Sequence, residues 1–409
     1  MTKAVCLYFK VHVPFSLKAY TQQLVGFNHC YEDAATDEII INKLADECYL
    51  PANKIILSNI LNSENKFKVS YSISGTALEL MLQYRPDVIE SFQDLVNTGA
   101  VEILGETYYN SLSFLYSRKE FDRQIEKHRL LIQKLFHRQL AVFRNTELIY
   151  NDKLAAHISG LGYKALLCEG SQKILKERTP NKLYASPDTG DFVLLLRNPR
   201  LSDDIAFRFD NKGWNEYPLT ADKFAEWLHA HPKDSEVINL FMDYETFGIH
   251  KKAESGIFEF LNALPAEVLK NEEFVFNTPS SVIDNYYPRD VYHVPEVISW
   301  EDHSAACCIW SENAKQNNTL KKIYQLEKLI EQSNDNNLLQ TWGRLQAADY
   351  VYFMSDTNRN SCKYLNPFNT AEEVYDYFKS MMTDMEVTLV NEQLRKNNMH
   401  VINQTNNLF

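Results

Sequence analysis

The sequence predicts an α/β protein with a parallel sheet, closed as a barrel or near-barrel, followed by an appended helical domain. Three observations predict it. Strand-like apolar runs alternate with helix-periodic stretches through the first two-thirds of the chain, in six to eight units. Beyond Trp300 only helical periodicity remains. The length, 409 residues, suffices for one large domain and a smaller one. These place a barrel domain at residues 1–290 and a helical domain at 291–409, with no Gly/Ser-rich linker between them.

The first strand is Ala4–Phe9, running into Lys10-Val11-His12-Val13-Pro14. Phe67–Ser72 is a second and Val101–Leu104 a third, stopped by Gly105. Leu80–Asn97 is helical and broken at Pro86, because proline lacks the amide that a helix interior uses. Arg118–Phe136 is an amphipathic helix, with Phe121, Ile125, Leu130, Leu131 and Leu135 near one face. Leu140–Phe143, Ala165–Leu167, Phe192–Leu196, Val237–Met242 and Glu273–Phe276 continue the strands. The late helices are Ala305–Ser333, Asn337–Ser355 and Ala371–Leu394; the loop Thr357–Asn369 separates the last two, and the Asn-rich 397–407 stretch reads as a frayed tail.

Composition narrows the function classes. Apolar and charged contents of 45% and 23% are those of an ordinary globular protein. The net charge of −12 argues against nucleic acid or an anionic membrane as the main partner, and is compatible with a neutral ligand such as a sugar polymer. Seven scattered cysteines, an odd count with no CxxC spacing, suggest reduced thiols. No apolar stretch is long enough to span a bilayer, and the Met1-Thr2-Lys3 start leads straight into a strand, so a cytoplasmic location is expected. No metal or cofactor is expected: there is no His-x-Glu-x-x-His, no His-x-Asp after the first strand and no glycine-rich phosphate loop. A G-x-S-x-G elbow is also missing, which argues against serine-based hydrolysis.

Two carboxylate-bearing stretches remain. Asp243 and Glu245 emerge where the apolar run Val237–Phe241 ends, ahead of Gly248 and His250. In an extended chain residues i and i+2 share a side, so both would face a strand-end cleft; an ion pair at the barrel rim is the alternative. Glu147 follows the short apolar strand ending at Phe143, and reads either as a nucleophile or as a partner in capping the helix Asp152–Gly160. Two carboxylates at the ends of two barrel strands are what glycoside hydrolysis uses. His12 suits a sugar hydroxyl or a satisfied core position equally. Leu104–Asn110, with Glu106 and Tyr108, suits a binding loop or a plain turn. Trp342, Leu345 and Asp349 recur at helical spacing, as core packing with one cap-like acid would.

Five stretches in this order resemble glycoside hydrolase family 57, which holds α-amylases, α-glucanotransferases and branching enzymes. They are Lys10–Pro14, Leu104–Asn110, Phe143–Glu147, Met242–His250 and Trp342–Tyr350; the stretches Arg197–Phe209 and Val294–Trp300 resemble its α-amylase branch. The resemblance implies an incomplete seven-stranded (β/α) barrel, a helical domain completing the substrate cleft, and retaining cleavage of α-1,4-glucans. It aligns Glu147 with the nucleophile and Asp243 with the acid/base. His12, Glu106, Tyr108, Asn110, Glu245, His250, Trp300, Trp342 and Asp349 are the implied substrate-binding residues, and an α-glucan the implied partner.

The chain departs from that pattern at three places. Lys10 replaces the first motif histidine, Val13 replaces a glutamine, and Asn110 stands where similar proteins carry histidine. Valine cannot hydrogen-bond and asparagine cannot take up a proton, so altered specificity or rate is expected near Val13 and Asn110. Glucan transfer, branching and non-catalytic glucan binding are the alternatives to hydrolysis.

Overall fold

The computed structural model describes residues 2–187, 189–232, 234–300, 309–356, 365 and 368–406. The chain folds as two compact units. One comprises Met1–Val13, Glu38–Tyr108 and Asp122–Cys307; the other Pro14–Asp37, Tyr109–Phe121 and Cys308–Phe409. The helical unit thus draws in two segments of the N-terminal half. Cys307, Cys308 and Cys362, the start of the helix expected from Ala305, and most of the Thr357–Asn369 loop lie outside the described residues.

Among the described residues the first unit is built on ten strands: β1 (Lys3–Val11), β2 (Val69–Ile73), β3 (Val101–Ile103), β4 (Val142–Arg144), β5 (Ala165–Glu169), β6 (Leu183–Ala185), β7 (Val193–Arg197), β8 (Val237–Asp243), β9 (Phe274–Phe276) and β10 (Asp290–Val291). Seven close into a parallel ring in the order β1-β2-β3-β4-β5-β7-β8. Two joins are thin. β3 reaches β4 only past its end, where Gly105 N donates to Val142 O (2.9 Å) and Arg144 N donates to Gly105 O (2.8 Å). β7 meets β8 at the single register pair Arg197–Asn239. β9 pairs with the first residues of β1, on the edge that β2 takes up further along. β6 runs antiparallel to β7 and carries β10; neither was visible as a strand in the sequence pattern.

Strand alternation sorts side chains to the two faces of this ring. On the inner face Ala4, Cys6 and Tyr8 of β1 cluster with Val142, Ala165, Leu167, Val193, Leu195, Val237 and Phe241. The same period continued to the strand ends gives Lys10, Arg144, Glu169, Arg197 and Asp243. All seven strands are parallel, so these charged residues gather at one end of the barrel, while deeper in register places Ser70, Glu102 and Asn239 on the same inward face among the apolar residues. Catalytic groups collect at that carboxyl-terminal rim in parallel barrels.

Helices cover the outer face. Gly75–Tyr84 begins earlier than its periodicity suggests, because Ser74 caps it by accepting from Ala77 N, and Pro86 opens a second helix, Pro86–Asn97. Residues 34–62, without a clear pattern in sequence, form two helices joined by a π-helical turn at Ala45–Tyr49.

The second unit contains the helices Ala314–Gln325, Glu327–Ser333, Asn336–Arg344, Ala348–Tyr352 and Ala371–Asn406. Asn313 and Gln316 form a reciprocal capping box at the start of the first. Asp384, buried on the long last helix, accepts from Gly26 N, His29 Nδ1 and Tyr31 Oη (2.6, 2.7 and 2.6 Å), which fastens the 26–31 segment to that helix. These three donors hold its carboxyl below the usual range despite burial.

Candidate active site

Lys10 is the last inward residue of β1, and in register it lies beside Asp243 of β8. Its ammonium donates to Glu147 Oε1 at 2.8 Å and stands 3.7 Å from Asp243 Oδ1. Those oxygens are therefore no more than about 6.5 Å apart, a ceiling that admits the roughly 5–5.5 Å of retaining glycosidases and only the lowest end of the inverting range. The second Glu147 oxygen, Oε2, accepts from Trp300 Nε1 at 2.8 Å. A carboxylate held by an ammonium and an indole N–H is ordered in both oxygens and favoured as an anion.

The backbone contributes to this placement. Glu147 sits in a 3₁₀ turn directly after β4 with φ of 54° and ψ of 29°, a left-handed conformation that a β-carbon disfavours. Thr107 and Thr146 share a hydrogen bond of 2.8 Å that ties the turn to the segment after β3. Trp300 is fixed by Phe241, with ring centroids 5.4 Å apart, and by Lys10 and the Arg197 guanidinium, each 5.5 Å from its ring.

Extended geometry stops at Asp243. Tyr244–Thr246 form a 3₁₀ turn, so Asp243 and Glu245 do not continue one strand face as the alternation suggested. Asp243 keeps a third of its side chain exposed, whereas Glu245 is buried and accepts from Tyr49 Oη at 2.5 Å. Burial, with the Asp243 charge adding to it, pushes the Glu245 carboxyl up from 4.5 to about 8. The chain then turns at Gly248, whose φ of 111° brings its α-carbon against the Glu47 carbonyl oxygen, where any β-carbon would collide. This turn directs the His250 amide back to Glu245 O (2.9 Å). Burial holds the His250 imidazole below its usual range, against the pull of Asp243.

The other candidates in this unit occupy separate surroundings. His12, buried, bonds through Nδ1 to Ser74 Oγ (2.8 Å). Glu106, fully buried, accepts from Ser72 Oγ (2.9 Å) and faces Arg144 Nη1 at 3.5 Å. Tyr108 donates to Glu79 Oε1 (2.6 Å) under the Lys127 ammonium, its ring filling the space left by Gly75. In the helical unit Asn110 O accepts from Ala348 N (3.0 Å), beside the bridge between Ser111 and Ala347. This places Asn110 against the residue that precedes Asp349. Trp342 is fully buried and donates to Ile323 O (2.9 Å), the packing role its helical spacing also allowed.

Sequence reasoning overlooked three residues at the centre. Lys10 registered only as a departure from a motif, although its place at the inward end of β1 carried the signal. Arg197 ends β7 in the same way, pairing with Glu169 and Asp203 and donating to Phe241 O. Tyr49 has no local signature; it reaches Glu245 from the π-helical turn. Among the described residues no group of three or more His, Cys, Asp or Glu is arranged to hold a metal ion.

Comparison with known proteins identifies the family and the fold. The model of the Glycosyl hydrolase family 57 matches residues 6–295. The chain is 39% identical to a Methanocaldococcus jannaschii protein named "Putative alpha-amylase", over 95% of this chain and 86% of that one. It is similar in fold to the α-amylase AmyC of Thermotoga maritima, with a TM-score of 0.63 and 13% identity over 96% of this chain and 94% of that one. The 4-alpha-glucanotransferase of Thermococcus litoralis gives a TM-score of 0.63 at 17% identity over 86% of this chain, which spans only 56% of that larger one. The family match covers well over half of the chain, so this protein belongs to glycosyl hydrolase family 57.

Proposed function

We propose that this protein cleaves α-1,4-glucans with retention of anomeric configuration, as an α-amylase-type enzyme. The observation that carries the reading is Glu147 held at both oxygens, by Lys10 and Trp300, with Asp243 in reach of the same ammonium. In the first half-reaction a Glu147 oxygen bonds to the anomeric carbon while the glycosidic C–O bond breaks. Asp243 gives its proton to the departing oxygen. In the second half-reaction Asp243 takes a proton from water, whose oxygen displaces Glu147 from the sugar and restores the starting anomer. Family membership and the 39% identical relative support hydrolysis as the outcome.

Among the described residues no helix is long and apolar enough to cross a membrane. The free thiols of the described residues, exposed Cys30 and buried Cys6, Cys48 and Cys168, support a reducing, cytoplasmic setting. Incubation with maltoheptaose and resolution of product chain lengths tests the function. Only shorter chains are expected, with activity lost in Glu147→Gln. Chains longer than seven glucoses point to transfer, and no turnover in the wild type points to a glucan-binding protein.

A further inference from the structure

Lys10 stands where the family pattern has histidine, yet it is the group that touches both carboxylates. We propose that Lys10 is a positioning residue that follows the single negative charge of the catalytic pair as it passes between Glu147 and Asp243. The inference rests on the functional reading above and concerns what this chain's own substitution does within it.

The charge movement follows from the bonds made and broken. Before reaction the charge is on Glu147 and the proton on Asp243. When Glu147 becomes a neutral ester and Asp243 has protonated the leaving oxygen, the charge is on Asp243. Hydrolysis of the ester returns it. A cation serving only the nucleophile would lose its partner halfway through. The ammonium lies 2.8 Å from one carboxylate and 3.7 Å from the other, so it has a partner in both states. Lysine suits this role because it carries three donors on a flexible stem, whereas a neutral imidazole has one N–H.

The surroundings keep Lys10 there. Its side chain is 11% exposed, as is that of Glu147, and the Trp300 ring walls it off with Arg197 of β7 on the same ring. The charged and titratable groups facing it include Glu147 after β4, Asp243 at the end of β8, and Glu245 and His250 on the following turn. Burial, the largest cause in each, disfavours the charged form of both the Glu245 carboxyl and the His250 imidazole, so neither is a strong rival or repellent for the ammonium.

The pH dependence of kcat/KM for Lys10→Met, Lys10→Arg and wild type decides the matter. Loss of the cation raises the proton affinity of both carboxylates, so the Met variant should lose at least about tenfold in kcat. Both limbs of its bell should move upward by about 1–3 pH units. Arg keeps the charge and should leave the limbs in place. Should the Met variant not fold, Lys10→His replaces it, and upward-shifted limbs are again expected. Lower activity with unmoved limbs in a folded Met or His variant means that Lys10 only packs the site, and overturns the proposal. Glu147→Gln separates the two levels. Turnover abolished by it in an active wild type upholds the functional reading whatever Lys10 does, whereas an inactive wild type overturns both.

Discussion

Glu147 keeps a left-handed backbone, two donors on its oxygens and a tryptophan wall, and each of these has a cost or a partner that can be removed singly. Trp300→Phe keeps an aromatic ring for Phe241, Lys10 and Arg197 and deletes the indole N–H to Oε2. A hydrogen bond to a charged acceptor contributes about 1.5–3 kcal/mol, so kcat/KM should fall roughly 10- to 150-fold with little change in Tm. Unchanged kinetics in a folded variant would mean that the indole plays no part in ordering the nucleophile.

Glu245 offers a second measurement at this scale. Its folded carboxyl lies near 8 against 4.5 ordinarily, for the reason of burial first. Below about pH 4.5 it is protonated in folded and unfolded chains alike, and its full contribution to stability is present. As pH rises from there the unfolded chain releases a proton that the folded chain retains, so stability falls until the pH passes the folded value near 8. Glu245→Gln keeps an acceptor for Tyr49 and has no proton to release. Its Tm advantage over wild type should grow between pH 5 and 8 and then level off. Parallel Tm curves across that range would contradict the assigned burial.

At the scale of elements, the turn after β8 delivers the acidic pair in two different environments. The sequence motif showed both carboxylates and the glycine, but it suggested one shared face because it was read as extended chain. A 3₁₀ turn at Tyr244–Thr246 breaks that alternation. Gly248 is where the turn is most tightly specified, by its positive φ and by the Glu47 carbonyl against its α-carbon. Gly248→Ala should therefore destabilise the protein by more than about 2 kcal/mol, beyond the ordinary cost of a left-handed alanine, because the helix bearing Glu47 must retreat. Retention of wild-type Tm would show that this approach is not close in solution.

For the whole molecule, the barrel was legible because buried parallel strands leave short apolar runs between amphipathic stretches. All seven ring strands that the pattern proposed end within two residues of their expected carboxyl termini, and that end is where the chemistry sits. What stayed hidden was long-range. The helices of residues 34–62, the strands β6 and β10, and the allocation of residues 14–37 and 109–121 to the helical unit depend on tertiary partners that local pattern does not encode. Lys10 was hidden for a different reason: it looked like a missing histidine until register placed it between Glu147 and Asp243.

The central claim is that Glu147 bonds covalently to the sugar. A 5-fluoro-α-glycosyl fluoride slows both half-reactions by destabilising the oxocarbenium-like transition state, while its good leaving group keeps glycosylation fast enough for the intermediate to accumulate. Digestion of the trapped protein and mass spectrometry of the peptides then locates the adduct. The expected result is one glycosyl group on the peptide spanning Phe143–Tyr150, at Glu147, and none in Glu147→Gln. An adduct on Asp243 or another residue, or steady turnover of the reagent in the Gln variant, would contradict the account.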